Sequence, residues 1–180
     1  MKKSIATILF TLTLAFSSGQ DSSIKSMVDS LQYLKTDTLD CTASLYWRII
    51  ARGDKAIPFL IDKLTDTTET KVRFHCKKTA LNVGEIAQFA LLEIAEFPAF
   101  VVTKIQFDVI TIDETGQGCW SFYDFLFINS NKFRYQNDVR KWYAKEKPNY
   151  KAKKITDNTQ TQCQKQYGII KYYRWKGKYQ

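Results

Sequence analysis

A mainly α-helical fold is predicted for this chain on three observations. Apolar residues recur at helical spacing in successive segments, and a Gly-Asp turn joins two of those segments back to back. A hydrophobic content of 44% argues for a buried core over disorder. The fold class that follows is a compact helical-hairpin domain with an irregular, partly extended basic C-terminal tail.

The opening segment, "MKKSIATILFTLTLAFSSGQ", has two lysines, an apolar run from Ile5 to Phe16, and then small residues. This is the layout of a secretory signal peptide, and the run is short for a transmembrane span. Cleavage is expected after Gly19, with Ser17 at −3; cleavage after Ser17, with Ala15 at −3, is the alternative. Residues 1–19 are therefore assigned as signal peptide, 20–150 as the helical domain, and 151–180 as a basic aromatic tail packed on that same domain. Maturation at Gln20 leaves 161 of the 180 residues, a normal size for one core. No later segment reaches about eighteen uninterrupted apolar residues, so the mature chain is expected to be exported, periplasmic or secreted, with no transmembrane segment.

From Ile24 the apolar positions Ile24, Met27, Val28, Leu31 and Leu34 follow helical spacing, with Ser22 or Ser23 available as N-cap. Asp40 can cap a second helix, Asp40–Arg52, carrying Leu45, Tyr46, Ile49 and Ile50 and ended by Gly53. Asp54 can cap a third, reaching Leu64, with Ile57, Leu60, Ile61 and Leu64 as its stripe and Pro58 in the first turn or so, where a missing amide does little harm. In "NVGEIAQFALLEIAEFP", Val83, Ile86, Ala87, Ala90, Leu91 and Ile94 share a face, with Glu85, Gln88, Glu93 and Glu96 largely opposite on a solvated one. Pro98 ends or kinks this helix.

The stretch from "YWRIIARGDKAIPFLIDKLTD" through "VGEIAQFALLEIAE" resembles HEAT-type helical repeats over roughly Leu45 to Glu96. In that family a helix ends near Gly, its partner begins with small and apolar residues around a Pro, and an Ala-rich helix opens the next repeat. The chain departs from the pattern in the polar insert "TDTTETKVRFHCKKTALN" and does not repeat further, so the remaining sequence must supply packing that further repeats would give.

"AFVVTKIQFDVITID", Ala99 to Asp113, fits both helix and strand; the helical reading is taken up to Phe107. "ETGQGC" is a turn. Beyond it, Trp120, Tyr123 or Asp124, and Phe127 lie one turn apart, and a final helix places Phe133, Val139 and Trp142 or Tyr143 inward and stops before Pro148. Aromatic core is the reading of this stripe.

Cys41, Cys76, Cys119 and Cys163 are even in number and widely spaced, which in an oxidising compartment predicts two disulfides. Because the second and third helices run antiparallel, the end of the third returns to the start of the second, so Cys41–Cys76 is expected, leaving Cys119–Cys163 to tie the tail to the turn. No Cys-x-x-Cys occurs. His75, the one histidine, does not make a zinc site by standing next to Cys76, so no metal is assigned.

The charge is polarised. From Lys132 to Gln180 there are fourteen Lys and Arg against Asp138, Glu146 and Asp157, a balance of +11, interleaved with ten aromatics. Within it Lys171, Arg174, Lys176 and Lys178 are the candidate polyanion-binding residues. Phosphates take such charge and bases stack on such rings, but export disfavours nucleic acid and favours an anionic envelope polymer, a lipid head group or an acidic protein face. The plainer reading, which has the greater weight, is a solvated tail whose aromatics pack on the helices. Strand character is expected from Ile169 to Tyr173. No nucleophile elbow, Cys-His signature or phosphate-binding glycine loop accompanies these features, and no catalytic residue or cofactor is assigned. The function read from the sequence is non-catalytic binding of another macromolecule, a protein partner or an anionic envelope polymer. The alternative is a cell-envelope hydrolase working through carboxylates such as Glu85, Glu93 and Glu96.

N-terminal sequencing of the native protein is expected to start near Gln20; soluble protein retaining Met1 would remove the basis for export and for the disulfides.

Overall fold

The computed structural model describes residues 21–112 and 116–177; the expected signal segment 1–19, Asp113 and Lys178 lie outside them. Helix α1 (residues 21–29) runs into a 3-10 turn at Ser30–Tyr33. Ser22 and Ser23 fall inside it, so neither caps it. Ile24, Val28, Leu31 and Leu34 are buried as their spacing predicts.

Helix α2 (Ser44–Ile50) starts four residues later than expected. Asp40 is spent in the preceding turn, accepting from the Thr42 amide at 2.7 Å and from the Thr42 and Thr38 hydroxyls. This local bonding competes with helix. Gly53, at φ +60°, takes the left-handed turn that ends the first arm of the hairpin. The second arm opens as a 3-10 turn (Gly53–Ala56) and continues as α3 (Ile57–Lys63), with Pro58 in its first turn. Asp54 caps nothing; its Oδ1 accepts from the Tyr173 hydroxyl at 3.0 Å.

Helix α4 (Val83–Ile94) is the centre of the molecule. It begins with a capping box in which Asn82 and Glu85 bond each other's amides. A side chain at Gly84 would put its Cβ 2.5 Å from the Leu64 carbonyl oxygen, so glycine is what allows α3 and α4 to approach so closely. The expected solvated face does not exist on the first two turns: Glu85 is 0% and Gln88 1% exposed. That face is covered by α7 (Asn129–Glu146); Glu85 is answered there, whereas Gln88 is paired through Oε1 alone and its Nε2 is buried without a hydrogen-bond partner among the described residues. Glu85 accepts from Lys132 Nζ at 3.0 Å, Lys77 Nζ at 2.7 Å, and the Asn82 amide and Nδ2 at 2.9 and 3.0 Å. The Tyr135 hydroxyl donates to Gln88 Oε1 at 3.0 Å.

Helix α7 corrects a second expectation. Phe133 was expected inward and is 69% exposed, whereas Lys132 is 1% exposed. Positions 132, 135, 136, 139 and 143 form the buried stripe; its frame sits one residue before the one that Phe133 suggests, because Glu85 requires a cation there. Burial depresses the Lys132 ammonium below the usual lysine range, and the Glu85 charge opposes that shift.

Helix α4 ends at Ile94, ahead of Pro98, which instead leads into α5 (Ala99–Thr103). The helix expected to reach Phe107 stops at Lys104, which is left-handed at φ 60°. Further on, Ile110–Ile112 (β1) pairs antiparallel with Gly118–Trp120 (β2). Ala99–Thr103 is thus helical and Ile110–Ile112 is strand, while Ile105, Phe107 and Val109, whose alternation suggested a strand, lie in neither. In α6 (Ser121–Phe127) the buried pair is Phe122 and Leu126, while Tyr123 and Phe127 are half-buried and Trp120 is 36% exposed.

The tail is regular where it was expected to be irregular. β3 (Tyr150–Lys154) and β4 (Lys171–Trp175) form an antiparallel pair, and α8 (Gln162–Gln166) lies in the connection between them. Tyr150, Tyr173 and Trp175 alternate onto the helices with the two-residue period of a strand. Trp142 meets Trp175 and Tyr150, each at 5.7 Å between ring centres. Two bonds to Glu96 fasten the sheet: its amide donates to the Tyr173 carbonyl at 3.0 Å, and its carbonyl accepts from the Tyr150 hydroxyl at 2.6 Å. Among the described residues the fold is mainly α with two small two-stranded sheets.

The expected disulfide pairing is overturned. The bonds are Cys41–Cys163 and Cys76–Cys119, with Cα separations of 4.8 and 5.5 Å. The insert does return past the start of the hairpin, where the Arg73 amide donates to the Asp37 carbonyl at 2.6 Å, but the turn at Phe74–Lys77 then carries Cys76 toward β2. Cys163 reaches Cys41 because α8 docks there, with the Tyr167 hydroxyl donating to the Cys41 carbonyl at 2.9 Å and its ring stacked on Trp47. Two disulfides fit an exported chain, and among the described residues no helix is long and apolar enough to cross a membrane.

Non-reducing peptide mapping is expected to recover Cys41–Cys163 and Cys76–Cys119, and replacing both Cys41 and Cys163 by Ala is expected to cost about 2–5 kcal/mol in chemical denaturation. Lys132→Met leaves Glu85 short of one buried cation, and Glu85→Gln leaves Lys132 without its carboxylate. Each is expected to lose about 3–5 kcal/mol, with the double variant recovering much of it because the buried charges leave together.

Candidate functional site

The basic segment becomes a surface through the register of β3 on β4. Tyr150 lies opposite Trp175, Lys151 opposite Arg174, Ala152 opposite Tyr173, Lys153 opposite Tyr172, and Lys154 opposite Lys171. Cross-strand partners share a face, and faces alternate along the strand. The face away from the helices therefore carries Lys151, Lys153, Tyr172 and Arg174, and the three cations are exposed. Two of the five pairs, Lys151–Arg174 and Lys154–Lys171, set like charges side by side. Their Cβ atoms are roughly 5 Å apart in such a pair, a destabilising arrangement.

Little nearby relieves it. Glu96 lies 3.7 Å from Arg174 Nε; among the described residues no acid forms an ion pair with Lys151, Lys153, Lys154 or Lys171. Burial, followed by the charges of Glu96 and Glu93, pushes the Tyr172 hydroxyl up to about 12, so it remains a neutral hydrogen-bonding group on this cationic face.

A cleft of about 420 Å³ opens where α5, the end of α7 and β4 meet. Trp142 and Trp175 contribute to its walls, and Lys104, Lys145 and Lys176 also line it. Glu146 is fixed there, accepting from Trp175 Nε1 at 3.0 Å and Asn149 Nδ2 at 2.6 Å. Those two bonds hold its carboxyl below the usual glutamate value.

Of the four residues singled out from the sequence, Arg174 lies on the outward face, Lys171 on the opposite face against Lys154, and Lys176 in the tryptophan cleft; Lys178 lies outside the described residues. The structure does not gather the first three at one point. The cations that accompany them, Lys151, Lys153, Lys104 and Lys145, were missed. The first two were legible in principle, because the alternation of Tyr150 with Ala152, and of Tyr173 with Trp175, fixes which lysines face outward. Lys104 and Lys145 come from α5 and α7, and no local pattern links them to the tail.

The carboxylates considered for hydrolysis are held in three settings. Glu85 is enclosed by its ion pairs, Glu96 lies beside Arg174, and Glu93 is half-buried with Gln164 Nε2 3.5 Å away. His75, Cys76 and Cys119 bring their ligand atoms within 4.8 Å of one another. Both sulfurs are joined in a disulfide, so the thiolates that bind a metal are consumed. No family model matches the chain, and neither a curated protein nor a solved structure matches it.

Proposed function

We propose that this protein is an exported, non-catalytic helical domain that binds an anionic envelope polymer through the β3–β4 hairpin and the adjoining tryptophan cleft. The observation that carries the reading is the pair of cross-strand contacts in which cation faces cation, Lys151 with Arg174 and Lys154 with Lys171. Such pairs cost stability in the free protein; an anion laid along the outward face meets Lys151, Lys153 and Arg174 and relieves the first pair, while Lys154 and Lys171, on the other face, offer a separate contact to the same polymer. The tryptophans beside Lys104, Lys145 and Lys176 offer flat apolar surface next to charge, which suits a polymer with ring units as well as anionic groups. The Cys41–Cys163 bond and the backbone contacts of β4 with Glu96 support treating 151–180 as part of the same domain. In this reading the α2–α3 hairpin and α4, the stretch that resembles HEAT-type repeats in sequence, are the scaffold that presents the basic sheet.

The test is binding of the mature protein to heparin as a model polyanion across salt concentrations. Each neutralised contact is expected to add about 0.7–0.9 to the slope of log affinity against log salt. Replacing Lys151, Lys153, Lys171 and Arg174 by Gln should flatten that slope. Replacing the exposed lysines Lys35, Lys71 and Lys78, remote in sequence from the hairpin, should flatten it by less per charge removed. Lys151→Glu should weaken binding while raising stability by about 0.2–1 kcal/mol, since it sets an acid opposite Arg174. Equal losses from both sets of substitutions would mean that net charge alone is being read, and an acidic protein face would then replace the polymer as the partner to seek.

A further inference from the structure

We propose that a second groove, lined by residues of α2, the insert, α4 and α6, binds an organic cation: a protonated or quaternary amine carried on an apolar body. The groove encloses about 360 Å³ and is walled by Tyr46, Trp47, Phe74, Phe89 and Tyr123, with Glu93 in its lining. That volume is within the range of small-molecule sites. Phe74, Phe89 and Tyr123 form a continuous aromatic wall, their ring centres 4.9, 5.1 and 5.7 Å apart, and all three remain half-exposed on the groove side of the core.

Glu93 sets the charge of the ligand. It is half-buried, forms no ion pair among the described residues, and has one long contact, with Gln164 Nε2 at 3.5 Å. Burial pushes its carboxyl above the usual glutamate range. Glu85, about two turns earlier on the same helix and more deeply buried, is by contrast answered by two ammonium groups and two Asn82 donors. Tyr46 is buried beside Glu93; burial, and then the Glu93 charge, push its hydroxyl well above the usual tyrosine range. Arg73 also lines the groove, but it is exposed to solvent, where its charge is screened.

Three classes of small ligand can be weighed against these groups. An anion meets Glu93 and is repelled. A neutral hydrocarbon gains apolar contact but strips water from a carboxylate that has no counterion. A cation supplies that counterion and lies beside the half-exposed rings of Phe74, Phe89 and Tyr123. The groove therefore selects the opposite charge from the β3–β4 hairpin, and it stands on residues that the hairpin does not use.

The experiment uses the full mature chain at neutral pH and three soluble probes of similar size: benzyltrimethylammonium, 3-phenylpropanol and 3-phenylpropionate. Binding is followed by calorimetric titration and by the aromatic resonances of Phe89 and Tyr123. The cation is expected to bind about tenfold more tightly than the alcohol, with the carboxylate weakest. E93Q should abolish that preference while leaving the alcohol's affinity unchanged or higher. Tyr123→Leu, which keeps apolar bulk but removes a ring face, should weaken the cation about threefold and the alcohol less. Thermal melts check that both variants fold. Equal binding of cation and alcohol, an E93Q protein that keeps the preference, or failure of all three probes to shift the groove resonances would each overturn the assignment.

Discussion

Glu85 sits at the third position of α4 with no exposed surface, and the arrangement of the molecule follows from how that carboxylate is answered. Its place at the helix N-terminus is favourable in itself, because the helix dipole and the Asn82 donors both stabilise negative charge there. A charge so enclosed still needs cations. Lys77 comes from the insert and Lys132 from α7. Placing Lys132 inward sets the rotation of α7, which sends Phe133 to solvent and Tyr135, Val139 and Tyr143 into the core. The same rotation presents Trp142 to Tyr150 and Trp175 and leaves Glu146 positioned to hold the Trp175 indole. The basic sheet is thus seated, through one helix, by a carboxylate on the far side of the core.

The helices near the start of the chain were legible because local spacing and burial agree there. Ile24, Val28, Leu31, Ile49, Leu60 and Leu91 are all buried where their periodicity places them. Reading failed where a polar residue occupies a core position. Glu85, Gln88 and Lys132 look like surface residues in any one-dimensional pattern, and only the approach of Lys132 to Glu85 and of Tyr135 to Gln88, each across 47 residues of chain, makes them interior. The caps failed for a related reason. Asp40 and Asp54 are good N-cap residues, but Asp40 found hydroxyl partners in its own turn and Asp54 one from β4. In the candidate site the charge was visible and its layout was not, because the sequence shows how many lysines a tail carries but the register of β3 on β4 decides which share a face.

The two candidate surfaces differ in how their charge is balanced. On the hairpin, cations outnumber acids and stand in water, so their repulsion is softened by solvent and salt. In the aromatic groove a single acid is partly withdrawn from solvent, so its interaction with any ligand is weakly screened. The first arrangement suits long-range attraction that tolerates many polymer sequences. The second suits close recognition of one functional group. Between them lies Glu93, whose charge reaches both Tyr46 on the groove side and Tyr172 on the sheet.

The disulfide connectivity has a consequence for how the chain reaches this state. The Cys76–Cys119 loop is nested inside the Cys41–Cys163 loop, with sequence separations of 43 and 122. A chain that emerges N-terminus first presents the Cys41 and Cys76 thiols before any native partner exists for either. An oxidant acting at that moment joins the wrong two sulfurs, and thiolate attack by a later cysteine is then needed to release them. The native partner of Cys76 follows 43 residues later, but that of Cys41 only 122 residues later, so Cys41 is the thiol whose native bond depends on reshuffling or on delayed oxidation.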